Sequence, residues 1–236
     1  MDKPNETECR QVVHDGQPGL FVHIRKTAGI SIRDALEDNY RVICDYGVDG
    51  PRTSDIIRKY KYQQHDPYAI YRELQRTDSW LVGHFNLQQF SDFVDCRRIL
   101  TFVRHPVDRV ISHFNHIRAY VSADRQLEVF AQNKKARNLQ YRALKSMPLG
   151  CIGYVGIAER FDESLEMINA GLGLSLEFKH ANINRHKTLE KEDVTQEMRE
   201  LIAENNPLDM ALYERAVAQH EQRYRFFREG RLWCHG

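Results

Sequence analysis

The 236-residue sequence predicts an α/β protein: three layers, with a central parallel sheet flanked by helices, and a helical C-terminal part. Three observations carry that expectation. Short apolar, partly β-branched runs recur at 20–24, 41–44, 80–83, 99–103 and 154–158, as strands buried on both faces require. Several are followed at once by a segment of helical period, the alternation that builds a parallel sheet. From 194 onward the pattern is helical only.

The strand at 20–24 runs into a turn holding Lys26, Thr27, Ala28 and Gly29, then a helix over 31–39. Ile32, Ala35 and Leu36 share one face of that helix, and Arg33, Asp34, Glu37 and Asp38 the other. The first N–H groups of a helix lack internal partners and carry partial positive charge, so they suit an anion. Gly29 lets a ligand approach the backbone, Lys26 adds a full charge, and Thr27 and Ser31 add hydroxyl donors. This is a phosphate cradle built like a P-loop, although no G-x-x-x-x-G-K-[ST] occurs. The plain alternative is an ordinary βα turn with a surface lysine.

A second strand is expected over 41–44. Gly47, Gly50, Pro51 and Pro67 break the stretch 45–77, where Ile56, Ile57 and Tyr60 suggest only a short helix and a cover for an acceptor site. The strand 80–83 ends at Gly83, with His84 just beyond, and the strand 99–103 ends at Arg104. His105 as N-cap and Pro106 at the first position then open a helix. Its stripe is Val107, Val110, Ile111, Phe114, Ile117 and Val121. Lys26, His84 and Arg104 thus all fall at carboxyl ends of strands, where parallel sheets bind ligands. Lys134, Lys135, Arg137, Arg142 and Lys145 follow with no acid between 133 and 147. They are a solvated face or a seat for an anionic acceptor. A strand at 154–158 and a helix at 161–170 complete the alternation. Asp193 with Gln196 reads as a capping box for a helix over 194–205, and Asn206 with Pro207 opens another to about 227.

Composition narrows the class. With 42% hydrophobic and 28% charged residues the chain is an ordinary globular protein. No repeat or linker divides it, so one domain over 1–236 is expected, with 1–18 a loose polar lead-in. A net charge of +1 argues against a general nucleic-acid binder. Five cysteines without a C-x-x-C point to reduced thiols, with neither zinc nor a disulfide framework. No apolar run nears the ~20 residues of a membrane span, and neither a span nor a secretory leader is expected. A soluble, cytoplasmic protein is the expectation.

The segment His23-Ile24-Arg25-Lys26-Thr27-Ala28-Gly29-Ile30-Ser31 resembles the H-I-P-K-T-A-G-T-S segment of sulfotransferases. There it wraps the 5′-phosphosulfate of 3′-phosphoadenosine 5′-phosphosulfate (PAPS). Arg25 stands for the usual proline and Ile30 for a hydroxyl residue. Residues 99–112, with Arg104, Pro106, Arg109 and Ser112, resemble the second signature, strand–R-x-P-x-x-R-x-x-S–helix. The resemblance assigns the cofactor's 3′-phosphate to Arg104 and Ser112 and leaves Arg109 structural. Gly83-His84-Phe85-Asn86 is similar to the G-H-x-N region of heparan sulfate and uronyl 2-O-sulfotransferases, whose histidine takes the acceptor's proton. His84 is therefore the candidate base. His23 is read as strand or cofactor-lining, and His105 as a cap.

Two later segments extend the likeness. Residues 138–142 resemble an acceptor-side N-x-x-x-R element, and 154–164 a Y-V-G-x-x-E-x-F-x-E-S junction read mainly as a packed βα unit. Lys187 and Thr188 match a loop that closes on the nucleotide. The resemblance implies a PAPS-dependent O-sulfotransferase that needs no metal. Its catalytic residues are His84 and Lys26, and its cofactor contacts Lys26, Thr27, Ala28, Gly29, Ile30, Ser31, Arg104 and Ser112. The acceptor is a hydroxyl compound, a glycan or small molecule, attacking sulfur in line. A P-loop-type kinase using ATP, and a binding protein whose cofactor site has decayed at Arg25 and Ile30, stay open as alternatives.

Overall fold

The expected strands form one sheet. The structure, a computed structural model, describes residues 17–75, 79–118, 127–177 and 193–231. Its strands are β1 (Gly19–Val22), β2 (Arg41–Asp45), β3 (Ser79–Gly83), β4 (Ile99–Val103) and β5 (Tyr154–Ile157). They lie in the order β2-β3-β1-β4-β5, and every neighbouring pair is parallel. β1 stops two residues early because Ile24 N–H donates back to Val22 O at 3.1 Å, closing a tight turn.

The helices of the described residues are α1 (Gly29–Asn39), α2 (Asp55–Ile57), α3 (Pro67–Leu74), α4 (Pro106–Arg118), α5 (Leu127–Gln132), α6 (Leu139–Leu144), α7 (Phe161–Leu172), α8 (Gln196–Glu204) and α9 (Pro207–Arg228). Strand side chains alternate between the faces. Leu20, Val22, Leu81, Ile99 and Val155 pack with Ile57, Ile70, Leu144 and Leu212, which puts α2, α3, α6 and α9 on one side. Phe21, Trp80, Val82, Leu100 and Phe102 pack with Ile32, Leu36, Ile168 and Leu172, which puts α1 and α7 on the other. A third cluster, away from the sheet, joins Val107, Val110, Ile111 and Phe114 of α4 to Phe130 of α5 and Ile202 of α8.

The strand order sets the site. From β1 the chain moves outward to β2, and from β4 it moves the opposite way to β5. The carboxyl ends of β1 and β4 therefore flank the point where the connections diverge, the place where open parallel sheets leave a crevice.

Some elements differ from expectation. The unassigned stretch 45–77 contains α2, a π-helical turn Arg58–Gln63 and α3, whose N-cap Asp66 accepts from Ala69 N at 3.0 Å. Thr195, not an Asp193–Gln196 box, caps α8, accepting from Met198 N at 3.3 Å. Asn206 precedes α9, but its side chain does not cap it: it donates to Ile202 O and accepts from Asn138 N. The cap comes from elsewhere in the chain. Asn138 Oδ1 accepts from Leu208 N (3.0 Å) and Asp209 N (3.1 Å). Asp209 in turn accepts from Tyr141 N (2.7 Å) and Gln140 N (3.3 Å) at the head of α6. The two helices cap each other. Buried Asp209 also faces the fully buried Arg109 at 3.8 Å.

Pro18, at the end of the expected lead-in, is buried, and its carbonyl accepts from Arg98 Nε at 3.2 Å. Residues 1–16 of the lead-in, Lys187 and Thr188 lie outside the described residues. No described helix is long and apolar enough to cross a membrane.

Asn138→Ala removes the acceptor of both N–H groups at the head of α9 and puts an alanine at φ 47°, which asparagine tolerates better. Losing the cap and straining the backbone should cost about 1–2 kcal/mol, read as a lower urea midpoint at unchanged slope.

Candidate active site

After β1 the chain turns within six residues into α1. Lys26 (φ 68°) and Ala28 (φ 69°) both sit in the left-handed region, a conformation that persists where surroundings enforce it. Thr27 is fully buried, and its hydroxyl donates to Ile24 O at 2.9 Å. That hydroxyl braces the turn, contrary to the expectation that it points at a ligand. Ala28 supplies no side-chain cap, and the first turn of α1 holds no acid. The leading N–H groups of Gly29 and Ile30 are thus left for an anion, while Ser31 N reaches back to Ala28 O at 3.3 Å. Ser31 is half-buried and Ile30 is exposed. A Cβ on Gly29 would collide with the ring of His23. The missing side chain makes room for that imidazole, a different reason from the close ligand approach expected.

Arg104 extends the opening from the next strand. Its Nη1 donates to Lys26 O at 3.3 Å. The backbone of Arg104 is held on both sides by the fully buried Gln140, which accepts from its N–H (2.8 Å) and donates to its carbonyl (2.9 Å). His105 N–H donates to Glu159 at 2.9 Å. The β4–α4 junction is therefore clamped by α6 and by the segment after β5. Burial, and then the Arg104 charge, lower the pKa of Lys26: two cations share one opening. Ser112 lies two turns along α4, half-buried. No described hydrogen bond joins it to Lys26 or Arg104.

His84 follows β3, on the other side of β1. Its N–H donates to Asp45 O at 2.9 Å and its Nδ1 contacts His23 O at 2.6 Å. A carbonyl only accepts, so Nδ1 carries the proton and Nε2 presents a lone pair. The ring is held edge-on by His23 (4.6 Å between centroids) and Tyr46 (4.7 Å). Burial, helped by the Arg25 and Arg33 charges and opposed by the His23 carbonyl, pushes its pKa down to about 4. The imidazole is neutral near pH 7.

Two residues escaped the sequence reading. Arg33, expected on the exposed face of α1, is buried, bonded to Asp34 (Nε–Oδ1 2.9 Å) and set over Tyr46. Tyr46 hydrogen-bonds His23 Nδ1 at 2.9 Å. The signal for Tyr46 was its place just beyond β2, the same rule that singled out His84.

Burial lowers the pKa of His23, takes His84 and His220 to about 4, and takes His113 to about 3. Groups with depressed folded pKa values bind more protons when unfolded, so stability is full above pH 6.5 and falls as pH drops from there towards 4. Urea titrations across that window should give a slope of roughly two or more protons taken up on unfolding.

Fold and site together define a parallel α/β protein with an uncapped helix head, Lys26 and Arg104 gathered at its switch point. A family model described as "Sulfotransferase family" matches residues 11–150, and the chain belongs to that family. No curated protein matched the chain. Among solved structures, it is similar to mouse sulfotransferase SULT7A1 complexed with PAP, at 14% identity and a TM-score of 0.46. The match covers 84% of this chain and 89% of that one.

Proposed function

We propose that this sulfotransferase moves the sulfuryl group of PAPS to a hydroxyl of a carbohydrate acceptor, with His84 as the base. The observation that carries the reading is the convergence at three adjacent strands. The cradle follows β1, His84 follows β3 and Arg104 follows β4. The residues suit the donor: uncapped N–H groups without a first-turn acid, beside Lys26 and Arg104. PAPS supplies a sulfuryl group on a phosphate that leaves as an anion.

In this reading His84 Nε2 accepts the acceptor's hydroxyl proton. The cradle N–H groups and Lys26 bind and stabilise the phosphate's charge. Arg104 and Ser112 hold the 3′-phosphate. A base at about 4 is weak against a hydroxyl at neutral pH. However, Arg25 and Arg33 depress it in part, so an anion in the cradle raises it again.

Two features favour an acidic carbohydrate. The segment around His84 resembles glycan 2-O-sulfotransferases. Lys134, Arg137, Arg142 and Lys145 also line a surface cleft of about 350 Å³ with Asn138, Tyr141 and Leu208, and none of these four pairs with a described carboxylate.

The test is calorimetry with 3′-phosphoadenosine 5′-phosphate (PAP), with ATP and 5′-AMP as controls, followed by an acceptor screen with labelled PAPS. Tight binding that needs the 3′-phosphate supports the reading. ATP turnover with Mg²⁺ would replace it with the kinase reading, and nucleotide binding without any transfer would leave a binding protein. Arg104→Ala should weaken PAP by about 1.5–3 kcal/mol, the worth of hydrogen bonds to a charged group. Unchanged affinity would remove Arg104 from the site.

A further inference from the structure

We infer that His23 is a second anion-binding donor at the head of α1, with its Nε2–H directed at the 5′ end of the donor. The inference rests on the sulfotransferase reading for the identity of that anion, but the tautomer follows from hydrogen bonds alone. Tyr46 OH lies 2.9 Å from His23 Nδ1. The Arg33 guanidinium lies over the Tyr46 ring, 6.0 Å from its centroid, and can only donate. Among the described residues His23 Nδ1 is the one acceptor within hydrogen-bond reach of the phenol, and a buried phenol hydrogen finds an acceptor, so it goes to His23 Nδ1. A neutral imidazole that accepts at Nδ1 carries its proton on Nε2.

The position of that nitrogen makes it a donor to a ligand. His23 is 5% exposed, and no described group bonds its Nε2. The Cδ2–Nε2 edge of the ring is the edge that a Cβ on Gly29 would strike. It therefore lies against the first residue of α1, beside the N–H groups left open by the missing cap. Nε2 is absent from the sealed, unpartnered side-chain atoms of the described residues, so it opens to solvent.

The two histidines therefore hold opposite tautomers. The His23 carbonyl fixes the proton of His84 on Nδ1, leaving a bare Nε2. Tyr46 fixes the proton of His23 on Nε2. One ring accepts a proton and its neighbour donates a hydrogen bond to an anion. No proton leaves His23, which acts as a fixed dipole like the N–H groups beside it.

The experiment is NMR of imidazole nitrogens in ¹⁵N-histidine-labelled protein, before and after adding PAP or pyrophosphate, paired with calorimetry of variants. Protonated Nε2 on His23, protonated Nδ1 on His84, and a His23 Nε2–H resonance that moves on anion addition are expected. His23→Leu should lose about tenfold or more in PAP affinity and leave 3′-AMP, which lacks the 5′ group, unchanged. His23→Gln, whose amide N–H reaches the same place, should restore most of the loss. Tyr46→Phe should mix the tautomers of His23 and weaken PAP several-fold.

A His23 protonated on Nδ1, a resonance unmoved by either anion, or an equal loss for PAP and 3′-AMP would overturn the inference. If PAP fails to bind the wild type while pyrophosphate moves the Nε2–H resonance, the donor reading falls and the anion donor stands.

Discussion

His84→Ala should lower turnover by about 10²–10⁴-fold while PAP affinity stays within about twofold of wild type. The geometry supplies the reason for the split. The imidazole is tethered through Nδ1 to the His23 carbonyl and through its backbone to Asp45, so only Nε2 is left for chemistry. That His23 carbonyl is the one cradle group of the described residues that bonds to the His84 side chain, and removing the ring leaves Lys26, Arg104 and the N–H groups at the head of α1 in place. His84→Asn keeps a donor to the His23 carbonyl yet has no basic nitrogen, so it should be as inactive as alanine. That equality separates a base from a residue that only packs. Single-turnover assays with labelled PAPS, with urea melts as a folding control, check both variants. Retained turnover would send the search for a base to another residue of the opening.

Burial explains why most of the framework was legible. A strand covered on both faces must be apolar at every position, so the runs leading to β1, β3, β4 and β5 stood out without alternation. The strand-end rule then points to Lys26, His84 and Arg104 from the sequence alone. What could not be read depended on partners far away in sequence. Asn138 and Asp209 cap each other's helices across about seventy residues, and a local capping pattern cannot see this. Arg33 looked solvent-facing on a helical wheel, but Tyr46 from the end of β2 covers it. Thr27 looked like a ligand donor because hydroxyls beside phosphates usually are, whereas the left-handed turn at Lys26 and Ala28 consumed its proton. In each case the residue type was right for a polar task and the tertiary fold chose the partner.

Lys26→Ala should cost roughly 10²–10³-fold in kcat/KM, with little change in stability. Stability is spared because the left-handed φ of 68° penalises lysine and alanine alike, and the turn is braced by Thr27 rather than by the ammonium. The loss in rate should be large because the charge is partly desolvated and feels the Arg104 charge, both of which lower its pKa. An ammonium held in that state gains most when negative charge appears beside it. The effect should therefore fall on turnover more than on the affinity for PAP. Lys26→Arg should not rescue it: a bulkier guanidinium keeps the repulsion from the Arg104 charge, and a planar fork does not reproduce a compact point charge. Measuring kcat/KM and PAP affinity for both variants decides the matter. Equal losses in the two quantities would make Lys26 a ground-state phosphate contact, and an active arginine variant would show that any cation suffices there.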